Sequence, residues 1–137
     1  MSSWSGRQVD HVGIAVRDLD MALAFYRPLA GPPVHRELVA HDGVEVAFLK
    51  LGGTALELLA SRGPDSSLQR FLERRGEGLH HLALEVGDVA AELAEWRARG
   101  AQLIDEAPRP GARGWQVAFI HPQSALGVLV ELCQRVS

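Results

Sequence analysis

The sequence predicts an α+β fold made of two βαβββ modules in tandem. Three observations predict it. The first is an internal repeat: "VDHVGIAVRDLDMALAFYRPLAG" (9–31) returns as "LHHLALEVGDVAAELAEWRARGA" (79–101), an offset of 70 residues. A second pair follows in the same order, "VEVAFLKLGGTALELL" (44–59) and "WQVAFIHPQSALGVLVEL" (115–132). Two copies are too few for a solenoid, so they read as a duplicated module. The second observation is that each copy changes its apolar period from two to helical spacing and back. The third is size: 137 residues, 47% apolar and 23% charged, suit one ordinary globular domain.

Each element follows from local pattern. Val12, Ile14 and Val16 alternate on one face of a first strand, "DHVGIAV", and Leu82, Leu84 and Val86 do so in its copy. Asp18 and Asp88 are the expected caps of the helices that follow. Leu19, Ala22, Leu23 and Tyr26 form the first helix stripe, and Val89, Leu93 and Trp96 the second. Gly31 and Gly100 end these segments. Further strands lie around "VEVAFLKL" and "TALELL", and around "WQVAFI" and "GVLVELC". The modules thus span about 7–62 and 77–135, within a single domain 1–137. A bridging helix at about 65–75 is expected between them, capped by Asp65, buried through Leu68, Phe71 and Leu72, and stopped by Gly76. "EAPRPGARG" (106–114) reads as a loop by its Pro and Gly content.

Composition excludes several classes. A net charge of −3 leaves no basic footprint for nucleic acid or an acidic membrane surface. Cys133 is the single cysteine, so no internal disulfide forms. No stretch reaches the roughly 18–20 apolar residues of a membrane span. "MSSWSGRQ" lacks the apolar core of a signal peptide, so a cytoplasmic protein is expected.

The repeat also matches polar residues. His11 aligns with His81, Asp10 with His80, and Glu57 in "ALELL" with Glu131 in "LVELC". By alternation His11 and His81 lie opposite the apolar even face. One His or Glu in a half-buried strand ordinarily faces water. Four of matched type at matched positions instead suggest two imidazoles and two carboxylates gathered for a divalent first-row metal.

With these residues in view, "DHVGIAV", "GEGLHHLALEV" and "HPQSALGVLVEL" resemble the vicinal oxygen chelate (glyoxalase/bleomycin resistance/dioxygenase) superfamily. Within it the bridging helix, the "DEAPRPGARG" loop and the "HPQS" turn are most similar to methylmalonyl-CoA epimerases. The resemblance covers Val9 to Cys133. It implies a cup-shaped mixed sheet around a metal site, with His11, Glu57, His81 and Glu131 as ligands. Some such epimerases have glutamine at the position of Glu57. The implied metal is Co²⁺, Mn²⁺, Ni²⁺ or Zn²⁺. The implied substrate is an acyl-CoA, methylmalonyl-CoA, whose α-carbon is inverted through a metal-stabilised enolate. Glu131 is a candidate catalytic base. Several bacterial relatives carry a second glutamate where this chain has Val46. Glu45 is adjacent but of opposite strand parity, and is the weaker candidate for the other base.

Two other functions share parts of this pattern. A glyoxalase I-type lyase uses the same four ligand types but typically shows a "DPDG"-like turn in place of "HPQS". A non-catalytic binding member of the superfamily usually lacks the ligands. Among the remaining residues, His80 reads as a structural or ligand-supporting group, His121 as a turn residue, and His35 and His41 as loop or surface residues. Cys133 reads as a small buried hydrophobe. The arginines of "RFLERR" and "PRPGAR" are candidates for coenzyme A phosphates. Exposed sheet edges, with the habit of related proteins, imply a homodimer.

Overall fold

The computed structural model describes residues 7–136 and contains eight strands and three α-helices. Most of the N-terminal stretch read for targeting, residues 1–6, lies outside the described residues. The chain divides into two compact units, residues 11–80 and residues 81–136 with 7–10. The α+β reading holds in both. No helix among the described residues is long and apolar enough to cross a membrane.

In the unit of residues 11–80, strand β1 (Gln8–Val16) leads into helix α1 (Leu19–Ala30). Asp18 caps the helix, its carboxylate accepting from the Met21 amide at 3.0 Å. Gly31 closes it at φ +81°, a backbone setting that disfavours residues with a Cβ. Strands β2 (His35–Val39), β3 (Val44–Leu51) and β4 (Thr54–Ser61) follow, and helix α2 (Ser67–Arg75) completes the unit. The sheet order is β2-β3-β4-β1, with β4 parallel to β1 and the other pairs antiparallel. Ile14, Val16, Ala47, Leu49, Leu58 and Ala60 pack with Leu19, Leu23 and Tyr26 of α1, so the even face of β1 is the one beneath the helix, as its alternation requires.

The other unit repeats the plan. Strand β5 (Gly78–Glu85), helix α3 (Val89–Ala98), and strands β6 (Arg109–Pro110), β7 (Gln116–Ile120) and β8 (Val130–Gln134) give the order β5-β8-β7-β6, with β8 parallel to β5. Asp88 caps α3 through the Ala91 amide at 3.1 Å. Val86, Val89, Leu93, Ala118, Ile120 and Leu132 form the helix-side core. Residues 7–10 join this unit through ion pairs, Arg7 with Glu92 and Asp10 with Arg113.

Three expectations shift in detail. The cap of α2 is Ser66 rather than Asp65, because the Ser66 hydroxyl accepts from the Gln69 amide at 3.0 Å. His35, read as a loop or surface residue, lies in strand β2 with its side chain 39% exposed. The "EAPRPGARG" segment holds the two-residue edge strand β6, which tolerates Pro110 because an edge needs no ladder hydrogen bond on its outer side.

Candidate active site

The face of each sheet turned away from its helix carries the matched polar residues. In residues 11–80, register pairs Glu57 with Gly13 on one side and with Phe48 on the other. His11 Nε2 lies 3.1 Å from Glu57 Oε1, and the two side chains are only 1% and 6% exposed. The Phe48 ring meets the His11 ring edge-on at 5.4 Å. In residues 81–136, Glu131 pairs with Ala83 and with Phe119. His81 Nε2 lies 3.0 Å from Glu131 Oε1, with side chains 1% and 9% exposed. Phe119 meets His81 edge-on at 5.8 Å.

The structure therefore brings His11 to Glu57 and His81 to Glu131 in the same His–Glu–Phe arrangement. A carboxylate this deeply buried needs a cationic or hydrogen-bonding partner. An imidazole nitrogen and a carboxylate oxygen at hydrogen-bond distance are also the donor types of a mixed N/O metal site, so the donor chemistry fits a divalent cation. The phenylalanines were not singled out from the sequence, although "VAF" is identical in both copies (46–48 and 117–119).

The neighbouring residues fall into place around these pairs. His80 packs its ring edge-on against Phe71 of α2 at 4.7 Å. Its repeat partner Asp10 is buried and bonds Arg113 at 2.6 Å, and the Arg113 guanidinium lies 3.7 Å over the Trp115 ring. Arg109 pairs with Asp105 at 3.0 Å and covers Phe119. Arg70 bonds the Asp65 carbonyl at 2.8 Å, and Arg75 lies over Phe71. Of the candidate phosphate-binding arginines, Arg70, Arg75, Arg109 and Arg113 thus make contacts inside the chain. His121 acts as a turn residue: its Nδ1 accepts from the Gln123 amide at 3.0 Å. Cys133 is buried, and burial followed by the Glu131 charge pushes its thiol well above the ordinary range, which makes it a packing residue.

Glu45 requires a correction. It lies in register with Leu38 and Ala60, on the helix side of its sheet, whereas Phe48 and Glu57 share the other side. Arg36 bonds it at 2.8 Å and Arg62 bonds it as well. The Arg36 hydrogen bond, against partial burial and with help from Arg62, holds its carboxyl below the ordinary range. That is the chemistry of a fixed ion pair, on the wrong face for a base beside His11.

Comparison with known proteins agrees with the geometry. Residues 10–119 match the Glyoxalase/Bleomycin resistance protein/Dioxygenase superfamily model. The chain is 39% identical to the ethylmalonyl-CoA/methylmalonyl-CoA epimerase of Cereibacter sphaeroides, over 93% of this chain and 97% of that one. It is 38% identical to the mitochondrial methylmalonyl-CoA epimerase of Homo sapiens, over 97% of this chain and 77% of that one. A Streptomyces coelicolor methylmalonyl-CoA epimerase variant, solved in complex with 2-nitronate-propionyl-CoA, superposes with a TM-score of 0.91 at 36% identity, covering 95% of each chain. With its duplicated βαβββ plan and its paired buried His and Glu, this chain belongs to the glyoxalase/bleomycin resistance protein/dioxygenase superfamily.

Proposed function

We propose that this protein is a metal-dependent epimerase that inverts the α-carbon of methylmalonyl-CoA. The observation that carries this reading is the repeat-matched pair of buried His–Glu contacts, His11 with Glu57 and His81 with Glu131, in a chain whose relatives include methylmalonyl-CoA epimerases. In this reading all four residues hold one divalent cation. A cation held there would supply Lewis acidity for the negative charge that develops on the thioester oxygen of the substrate as the α-proton leaves. The chain's own work is to bind, orient and move a proton. Glu131 takes the α-proton from one face of the carbon, and a second group returns one to the opposite face. Phe48 and Phe119, edge-on to the two histidines, fix the imidazole planes.

The test is isotope exchange. Protein loaded with Co²⁺ or Mn²⁺ is expected to move the α-proton of methylmalonyl-CoA into D₂O, with both epimers appearing from either one. The hemithioacetal of methylglyoxal and glutathione serves as the negative control. Failure of exchange with every divalent metal tried overturns the assignment.

The same reading includes a homodimer. Besides the sheet edges, helix α1 presents Met21, Phe25 and Leu29, spaced four residues apart on one face and 72%, 66% and 65% exposed. Apolar side chains clustered on one helix face favour a protein partner. Sedimentation velocity at micromolar concentration is expected to give a dimer, and a single monomeric species contradicts it.

A further inference from the structure

The two modules hold their matched phenylalanines by different means. Phe48 lies inside a continuous ladder. Strand β2 pairs with β3 from Val44 to Phe48, His35 is the register partner of Phe48, and the Val34 amide donates to the Phe48 carbonyl at 2.8 Å. On the corresponding side of β7, strand β6 pairs only with Gln116 and Val117 and stops short of Phe119. A backbone amide left at a sheet edge needs an acceptor from elsewhere.

Asp105 supplies it. Its Oδ2 accepts from the Phe119 amide at 2.8 Å. Its own amide, at 3.3 Å, and that of Ile104, at 2.9 Å, donate to the Phe119 carbonyl. One residue thus engages both backbone polar groups of Phe119. The other carboxylate oxygen, Oδ1, accepts from Arg109 Nε at 3.0 Å, which keeps Oδ2 turned to the amide. The Arg109 guanidinium also lies over the Phe119 ring, 5.5 Å from its centroid. The Asp105 and Arg109 side chains are 16% and 20% exposed, so this ion pair is partly shielded from water.

Phe119 sits beside both proposed ligands of its unit. Residues opposite each other in an antiparallel pair share a face. Arg109 opposes Val117 and Phe119 opposes Glu131, so Arg109, Phe119 and Glu131 lie on the face that carries His81. The Phe119 ring meets the His81 imidazole edge-on at 5.8 Å. A shift of the backbone at Phe119 therefore moves the ring against which His81 rests and the register partner of Glu131 together. All of these contacts lie within residues 81–136.

We infer that Asp105 is a positioning residue for His81 and Glu131, acting through Phe119, and that Arg109 aims its carboxylate. The inference rests on the reading of His81 and Glu131 as ligands and of Glu131 as the proton acceptor. Asp105 and Arg109 hold an imidazole plane and a carboxylate in place before substrate arrives. A donor turned out of line binds a cation more weakly and meets the α-proton less often. A carboxylate that only completed the sheet edge would change folding stability and nothing else.

The test measures Co²⁺ binding and α-proton exchange side by side, well below the melting temperature. In Asp105→Ala the Kd for Co²⁺ is expected to rise about 10- to 100-fold, the range for a lost ligand-supporting partner, with a changed visible absorption spectrum of the bound Co²⁺. The kcat for exchange should fall by a similar factor, with the KM for methylmalonyl-CoA within about twofold. Arg109→Met keeps an apolar stem beside Phe119 but releases Oδ1, and should raise the Kd about three- to tenfold, a smaller part of the same effect. It carries the test alone if Asp105→Ala does not fold. Glu106→Ala removes a neighbouring acid that is 73% exposed and pairs with Arg97, and should leave Kd and kcat unchanged. A lower melting temperature in Asp105→Ala with Kd, Co²⁺ spectrum and kcat all unchanged overturns the inference. So does an Arg109→Met protein that matches the unmodified one in Kd and kcat. If the unmodified protein binds Co²⁺ but exchanges no α-proton, the epimerase reading fails while the Kd comparison still judges Asp105. If it binds no Co²⁺, the ligand reading fails and takes this inference with it.

Discussion

Replacing His81 with alanine is expected to strip the protein of bound divalent metal and to reduce α-proton exchange by at least about 10³-fold, since the electrophilic help of a metal is worth several kcal/mol. The imidazole is 1% exposed and its Nε2 sits 3.0 Å from Glu131 Oε1, so its loss removes both a donor and the partner of a buried carboxylate. The helix-side core of Val86, Leu93, Ala118 and Leu132 lies on the other face of the sheet, so circular dichroism should still report a folded chain. His80→Ala is the matched control. That ring packs against Phe71 at 4.7 Å, and losing an aromatic contact of this kind costs about 0.5–1.5 kcal/mol. Metal content should be unchanged and activity should fall by less than about 100-fold. Metal analysis after gel filtration decides between the two. Loss of metal from His80→Ala and retention in His81→Ala would overturn the ligand assignment of His81, and with it that of His11.

The contrast between His80 and His81 was legible in the sequence because strand alternation is strict. The repeat fixes which parity is apolar, and the polar residues on the other parity follow. Helix caps were legible to within one residue: Asp18 and Asp88 cap as expected, whereas Ser66 displaces Asp65 because either side chain satisfies the same amide chemistry. Strand β2 was not legible. "HRELV" carries polar residues on both parities, as an edge strand tolerates, and it follows "GPP", which reads as a turn. The place of His35 therefore depends on antiparallel register with β3, a non-local fact that no local period reports. Phe48 and Phe119 were visible as identical "VAF" triplets, but their task appears only once cross-strand register sets each ring beside a histidine.

Glutamine scanning of the two carboxylates is expected to give an asymmetric result, although their geometry is nearly symmetric. Glu57 and Glu131 each lie about one hydrogen-bond length from a buried imidazole, at 3.1 and 3.0 Å, and each faces a phenylalanine in register. Geometry alone predicts equal effects. Chemistry separates them: an amide oxygen remains a metal donor, but it cannot take a proton from carbon. If Glu57 only holds the cation, Glu57→Gln should retain metal and keep activity within about tenfold, in line with the glutamine found at this position in some similar epimerases. If Glu131 also accepts the α-proton, Glu131→Gln should retain metal but lose about 10²–10⁴-fold in exchange, and only from the epimer it serves. The two variants together thus separate a residue that only holds the cation from one that also accepts the proton. Equal, small losses in Glu57→Gln and Glu131→Gln would reduce Glu131 to a ligand and leave that face of the carbon to another base.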